Sequence, residues 1–156
     1  SSGGTQAGIV LGAKLASYAG RITAISIDQV PDEQIPDERR DERFLAHVAQ
    51  VANQAAALLG ADIEVAATDF ATNYDYLGGG YGVVGDLERT AIQRLARSEG
   101  VLVGPVYSGR AFGALLDMAS RGAFADDSAV LFWHTGDESA LHAYAADLAG
   151  APAPLT

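Results

Sequence analysis

Small and hydroxyl-bearing residues stand directly before an apolar helical segment at the start of the chain. Ser1-Ser-Gly-Gly-Thr-Gln-Ala-Gly8 leads into the apolar run Ile9–Leu15. Glycines let a backbone approach a ligand closely, and the free amides and dipole of a helix N-terminus favour an anion there. With hydroxyls from Ser2 and Thr5, the pattern predicts a phosphate loop that needs no lysine or arginine. Taken alone, a frayed terminus or an added expression sequence is an equally good interpretation.

Other chemistries fit these residue types less well. The loop lacks the Gly-Lys-Ser/Thr ending of an ATP-binding loop and the glycine spacing of a dinucleotide site. Ser1 could instead be an N-terminal nucleophile whose own amine acts as the base, which is a second hypothesis. With no cysteine and only three scattered histidines, no metal site is predicted. His134 lies in an apolar run and is better interpreted as a satisfied core histidine than as a general base.

Bulk composition narrows the class of protein. The 156 residues, 49% of them hydrophobic, suit one globular domain. A net charge of -10 without any basic stretch argues against nucleic acid as a partner. No apolar run approaches the roughly 20 residues that cross a bilayer, so no membrane association is predicted. Zero cysteines are compatible with a cytoplasmic enzyme or binding domain.

The elements that would position this loop alternate along the chain. Four apolar runs predict strands, at Arg21–Asp28, Asp62–Phe70, Val101–Val106 and Ala129–Thr135. Helical periodicity predicts helices over Phe44–Leu59, Asp86–Gly100 and Ser108–Gly122. The acidic, proline-containing segment Asp28–Glu38 predicts a solvated loop. Alternation predicts an α/β fold: a three-layer, mostly parallel twisted sheet with helices on both faces and ligands at the carboxyl ends of its strands.

Three further blocks follow the loop in order. They are Gly79-Gly-Tyr-Gly-Val83, the segment Glu99–Ala111 with Pro-Val-Tyr-Ser-Gly at its centre, and Val130–Gly136 followed by Ala140–Tyr144. Together they resemble the D-cysteine desulfhydrase and aminocyclopropane-carboxylate deaminase family of fold type II pyridoxal-phosphate enzymes, over almost the whole chain. The resemblance implies pyridoxal 5'-phosphate as cofactor and a small amino acid as substrate. It implies β-elimination, deamination or β-replacement, with elimination to an α-keto acid and ammonia favoured.

The resemblance also assigns site residues. The cofactor phosphate falls to Ser2, Gly3, Gly4 and Thr5. Tyr81 and Tyr107 correspond to the two tyrosines that face substrate and cofactor, where a phenol can donate, accept or transfer a proton. Without the resemblance, both tyrosines would be interpreted as packed amphipathic side chains.

Two hydroxyls are candidates for the pyridine nitrogen. Ser108 stands where deaminase relatives carry a glutamate and desulfhydrase relatives a threonine. A carboxylate would keep the ring protonated, whereas a hydroxyl leaves it nearly neutral, so Ser108 favours the desulfhydrase-like chemistry. Thr135 is the second candidate. The alternative role for Ser108 is capping of the helix that follows it.

The chain departs from the family pattern at three places. Val83–Thr90 replaces an asparagine-rich, glutamate-bearing run, Gly104 replaces the aspartate before the proline, and Asp137 replaces the second glycine after Thr135. We therefore expect a shifted substrate range. A third hypothesis is a non-catalytic half-domain that binds a phosphorylated ligand or another protein. Retention of Tyr81, Tyr107 and Ser108 argues against it, whereas loss of the usual polar run near Asp86 argues for it.

The only lysine is a further departure. Lys14 lies roughly 14 Å along the predicted helix from the loop, at about 1.5 Å per residue, too far to reach the cofactor aldehyde. In the family the Schiff-base lysine lies upstream of the phosphate loop. We therefore expect residues 1–156 to be the C-terminal portion of the cofactor-binding domain, working with a lysine-bearing N-terminal half on a separate chain. A split gene or cleavage before Ser1 would produce that chain, and the assembled unit could form a homo-oligomer.

Overall fold

The computed structural model describes residues 2–28, 37–125 and 129–149. Ser1, the proposed N-terminal nucleophile, and most of the predicted acidic loop lie outside the described residues. The chain divides into two compact units, Ser1–Asn73 and Tyr74–Thr156. Among the described helices, none has the length and apolar character needed to cross a membrane.

Two helices form the framework of the first unit. Helix α1 spans Gly4–Leu15 and helix α2 spans Asp37–Leu58. Their facing sides and the segment after α2 bury an apolar core. Its buried residues are Ala7, Val10, Leu11, Val48, Ala49, Ala52, Ala56, Val65 and Phe70. Helix α2 ends before Gly60, as predicted. It begins at Asp37, ahead of the predicted start at Phe44. Residues 37–43 are all charged, so apolar periodicity could not predict this first part of the helix.

A short parallel pair of strands completes the first unit. Strand β1 spans Ala24–Ile25 and strand β2 spans Thr72–Asn73, paired in parallel. A single 3-10 turn, Ala67–Asp69, precedes β2. This turn occupies the end of the predicted strand Asp62–Phe70. The strand that pairs, β2, begins only after the predicted strand ends. Helices alternating with a parallel strand pair confirm the predicted α/β class.

Lys14 is bound within the first unit. Its Nζ lies 2.5 Å from Oδ2 of Asp69 and donates a hydrogen bond of 3.0 Å to the carbonyl oxygen of Glu64. The hydrogen bond from Lys14 lowers the pKa of Asp69, helped by a second bond from the amide of Ala66. The only lysine of the chain therefore joins the end of α1 to the turn before β2.

Three helices make up the second unit. Helix α3 spans Asp86–Glu99, helix α4 spans Ser108–Ser120 and helix α5 spans Ala145–Leu148, after a 3-10 helix at Glu138–His142. Helices α3 and α4 approach closely at two glycines. A Cβ on Gly109 would lie 2.8 Å from Cδ1 of Ile92, and one on Gly113 would lie 2.7 Å from Cγ of Leu87. The predicted bounds of α3 and α4 are confirmed to within two residues.

Three predicted strands, Asp62–Phe70 among them, are not strands in the described residues. The other two, Val101–Val106 and Ala129–Thr135, likewise pair with no neighbour there in a ladder. An apolar, β-branched run indicates burial, but a strand also needs a neighbouring backbone to take its amides and carbonyls. Several large side chains of these two runs are exposed: Val101, Leu102, Val130, Leu131 and Trp133.

Candidate functional site

The predicted phosphate loop forms the first turn of α1 in the first unit. Gly3 is the N-cap, and its carbonyl accepts the first intrahelical bond from Ala7, at 2.9 Å. The hydroxyl oxygen of Ser2 accepts the amide of Gly4 at 3.5 Å, and Gly3 has no side chain to cap the helix, so the amides of Thr5 and Gln6 have no side-chain acceptor in the described residues. Ser2, Gly4 and Thr5 are all exposed. Free amides, two hydroxyls and the positive end of a helix dipole together make an anion cradle.

Gly3 fixes the shape of this cradle. Its φ is +72°, which strongly favours glycine, and it is buried. A Cβ at this position would lie 2.4 Å from Cγ2 of Val48 and 3.3 Å from Cζ of Phe44 on α2. The backbone therefore rests directly on α2. The helix begins at Gly4, earlier than the predicted Ile9, so Gly4 and Thr5 belong to α1.

In the second unit the two candidate tyrosines contact each other. The hydroxyls of Tyr81 and Tyr107 are 2.5 Å apart, with the rings edge to face at a centroid distance of 6.0 Å. Tyr81 is 52% exposed and Tyr107 40% exposed, so the pair faces solvent. The hydrogen bond to Tyr81 and partial burial raise the pKa of Tyr107 above its ordinary value of 10.0. The raised pKa keeps Tyr107 protonated at neutral pH, and either hydroxyl can be the donor in this contact.

This pair predicts a pH dependence. Because the pKa of Tyr107 is raised in the folded protein, its contribution to stability is present below pH 10.0 and lost as pH rises through the raised value. In Tyr81→Phe, which cannot accept this bond, we expect the pKa of Tyr107 to fall towards 10.0. Tyrosinate absorbance, read as a difference against Tyr107→Phe, measures it. An unchanged titration in Tyr81→Phe would contradict the hydrogen bond.

Arg110 holds the loop that carries Tyr81. Its side chain, in α4, is only 1% exposed. Nη1 donates to the carbonyls of Leu77 and Gly80 at 2.6 and 3.1 Å, and Nη2 donates to that of Val83 at 2.8 Å. Three loop carbonyls therefore converge on one guanidinium. Arg110 was not among the predicted site residues, although its position beside the apolar residues of α4 was a sequence signal for a buried cation.

A buried carboxylate completes this network. Oε1 of Glu88 lies 2.5 Å from Nε of Arg110, and Oε2 accepts the amide of Gly85 at 2.8 Å. Glu88 is 2% exposed. Glu88 belongs to the run Val83–Thr90, which departs from the family pattern. Its carboxylate is the counter-ion of the Arg110 guanidinium that holds the loop.

Ser108 is buried beside Tyr107, at the first turn of α4. Tyr107, and not Ser108, is the N-cap residue, and no side chain caps the helix, so the capping role predicted as an alternative is wrong. The hydroxyl of Ser108 instead donates to the carbonyl of Gly136 at 3.1 Å. Thr135, the second hydroxyl candidate, precedes that glycine and is exposed.

Both ring nitrogens of His134 have partners. The amide of Gly136 donates to Nδ1 at 3.1 Å, so Nε2 carries the proton. Nε2 lies 3.1 Å from the carbonyl of Leu102 and 3.0 Å from Oε1 of Glu138. These contacts confirm a histidine with satisfied ring nitrogens, but its side chain is 24% exposed, so its predicted place in the core is wrong.

The geometry defines an α/β protein with an anion cradle at a helix N-terminus and a separate, paired-tyrosine cluster. Residues 1–136 match the family described as pyridoxal-phosphate dependent enzyme. This match covers most of the sequence, and the chain belongs to that family, whose members use pyridoxal phosphate.

Individual relatives agree with the predicted resemblance. The 1-aminocyclopropane-1-carboxylate deaminase of Burkholderia vietnamiensis is 35% identical over 144 residues. The D-cysteine desulfhydrase of Salmonella schwarzengrund is 36% identical over 143 residues. Each alignment covers 92% of this chain and 40% of the relative. The chain thus spans about two fifths of the length of these relatives.

A solved structure is also similar. The crystal structure of a homologue of ACC deaminase matches with a TM-score of 0.74 and 30% sequence identity. The match covers 95% of this chain and 41% of the other. It confirms the predicted fold class, that of a fold type II pyridoxal-phosphate enzyme.

Proposed function

We propose that this chain supplies the phosphate grip and the proton-transferring tyrosines of a pyridoxal-phosphate enzyme acting on a small amino acid. The reaction is β-elimination, deamination or β-replacement, with elimination to an α-keto acid and ammonia favoured. The observation that carries the proposal is the contact between Tyr81 and Tyr107, beside the buried hydroxyl of Ser108. The relatives named for D-cysteine and aminocyclopropane-carboxylate chemistry support the class of substrate.

The residues of the cradle fit the cofactor's phosphate. Ser2, Gly4 and Thr5 are exposed around free helix amides, and Gly3 lets the backbone lie flat on α2. No cation is needed because amides and hydroxyls carry the donors. Bound pyridoxal phosphate supplies an electron sink for bond breaking at the amino acid's α-carbon.

The tyrosine pair can transfer protons to and from the substrate. Either hydroxyl can donate in this contact, and we propose the arrangement in which Tyr107 donates to the oxygen of Tyr81. The hydroxyl proton of Tyr81 is then available to a substrate group on its exposed side. Once Tyr81 gives that proton away, Tyr107 can replace it across the 2.5 Å contact.

Ser108 brings a hydroxyl and no charge to the position proposed beside the ring nitrogen. In the structure its single proton is donated to the carbonyl of Gly136, so a bond to a neutral nitrogen requires the hydroxyl to turn from that carbonyl to the ring. A carboxylate at this position would favour a protonated ring. We therefore propose desulfhydrase-like elimination as the main chemistry.

The cofactor-carrying lysine comes, in this proposal, from outside residues 1–156. Lys14 is the only lysine of the sequence, and Asp69 and Glu64 hold its ammonium. We propose that a lysine-bearing N-terminal half, as a separate chain, completes the enzyme. The exposed apolar side chains of the segments 101–102 and 130–133 support such a partner, since large exposed apolar sets mark interaction surfaces.

Borohydride labelling of the assembled protein tests this proposal. We expect reduction to fix the cofactor to a lysine of the partner polypeptide, with no label on Lys14 in peptide mapping. The unreduced protein should release an α-keto acid and ammonia from D-cysteine faster than from 1-aminocyclopropane-1-carboxylate. Label on Lys14 would contradict the partner proposal, and no turnover of either amino acid would contradict the proposed reaction.

A further inference from the structure

Asp137 is in an unusual backbone conformation next to Tyr107. Its φ is 76°, in the left-handed region that few residues other than glycine adopt. Its carboxylate accepts two amides of a neighbouring segment: Oδ1 takes the amide of Gly104 at 2.9 Å, and Oδ2 takes that of Tyr107 at 3.1 Å. One side chain therefore spans the backbone on both sides of the Pro105-Val106 step.

Gly104 leaves the space that this carboxylate fills. A Cβ at position 104 would lie 2.2 Å from the carbonyl oxygen of Asp137 and 2.3 Å from its Cγ and Oδ1. Gly104 does not have a positive φ, so its backbone would accept any residue. The requirement for glycine is therefore one of space, and the three atoms nearest to such a Cβ all belong to Asp137, its backbone carbonyl oxygen included.

Further bonds close the same turn. The hydroxyl of Ser108 donates to the carbonyl of Gly136 at 3.1 Å, and the amide of Gly109 donates to the carbonyl of Gly104 at 2.7 Å. Tyr107 lies inside this turn, and its ring projects from it to Tyr81. The direction of the Tyr107 ring therefore depends on the hydrogen bond that the amide of Tyr107 donates to Asp137.

We propose that Asp137 is the positioning residue that sets Tyr107 against Tyr81, and that Gly104 and Asp137 form a reciprocal pair. The resemblance places an aspartate before the proline and a glycine after Thr135-Gly136, whereas this chain has the two residue types exchanged. The effect on catalysis rests on the proposed function, but the structural pairing does not.

A stability cycle tests the pair. We expect Gly104→Ala to lower the melting temperature by about 5 °C, because the added methyl overlaps Asp137. In the Asp137→Gly background, which removes the carboxylate but keeps the backbone carbonyl of residue 137, the same change should lower it by less than in the wild type. Melting temperatures that add in the double variant would overturn the reciprocal pair. The exposed Asp62→Asn serves as a charge control without effect.

Two readouts in the assembled, cofactor-loaded protein test the positioning role. In Asp137→Asn, which cannot accept both amides, hydrogen exchange at the amide of Tyr107 should rise about 10-fold or more. The kcat should fall about 10- to 100-fold while KM and cofactor affinity stay within about threefold. Unchanged exchange and kcat in Asp137→Asn would overturn the role. If the wild-type protein shows no turnover, the proposed function is contradicted, and the hydrogen-exchange rate at the amide of Tyr107 alone tests the positioning role.

Discussion

Arg110→Met is expected to lower the free energy of unfolding of the second unit by about 3–5 kcal/mol. The substitution leaves the carboxylate of Glu88 buried without its cation and removes the donors of three loop carbonyls. The loop that carries Tyr81 would lose its anchor, so the contact with Tyr107 should be lost as well. Urea denaturation followed by circular dichroism gives the stability, and tyrosinate titration reports the contact.

Arg97→Met is the matched control for Arg110, because it removes an exposed arginine from α3. We expect it to change stability by no more than about 0.5 kcal/mol. Adding Glu88→Gln to Arg110→Met should recover part of the loss, since it removes the unpaired charge. A loss below about 1 kcal/mol in Arg110→Met would contradict the anchoring role.

Gly3→Ala has the second large expected effect, on cofactor binding. The alanine would need a left-handed backbone, at a cost of about 1–2 kcal/mol, and its Cβ would overlap Val48. A displaced turn misaligns amide donors, each contributing about 1.5–3 kcal/mol when bonded to an anion. We expect pyridoxal phosphate to bind about 10- to 100-fold more weakly in a fluorescence titration of the assembled protein.

Gly8→Ala separates this effect from a general change in α1. Nothing lies within 4 Å of a Cβ built at Gly8, which is in the interior of the helix. The alanine should therefore raise stability by about 0.5–1 kcal/mol and leave cofactor affinity unchanged. Equal affinities in Gly3→Ala and Gly8→Ala would show that the cradle does not hold the phosphate.

Local patterns predicted the helices and part of the site. Apolar spacing and the glycines Gly60 and Gly100 located the ends of α2 and α3 because these signals act within one turn. Tyr81 and Tyr107 are 26 positions apart, and periodicity alone favoured packed side chains. Only the resemblance to a family predicted that both would serve one site.

Long-range contacts could not be predicted in the same way. Whether an apolar run pairs as a strand depends on a neighbouring backbone, so Val101–Val106 and Ala129–Thr135 were assigned wrongly. Arg110 acts through carbonyls of a loop about 30 residues upstream, which carry no side-chain signature. The exchange of Gly104 and Asp137 was visible in the sequence, but its meaning depends on the 2.9 Å bond between them.

The proposed function depends most directly on whether the first turn of α1 holds the phosphate of pyridoxal phosphate. A crystal structure of the assembled, cofactor-loaded protein tests it most directly. We predict phosphate oxygens within about 3 Å of the amides of Thr5 and Gln6 and of the hydroxyls of Ser2 and Thr5. A phosphate bound elsewhere, with no contact to this turn, would contradict the account.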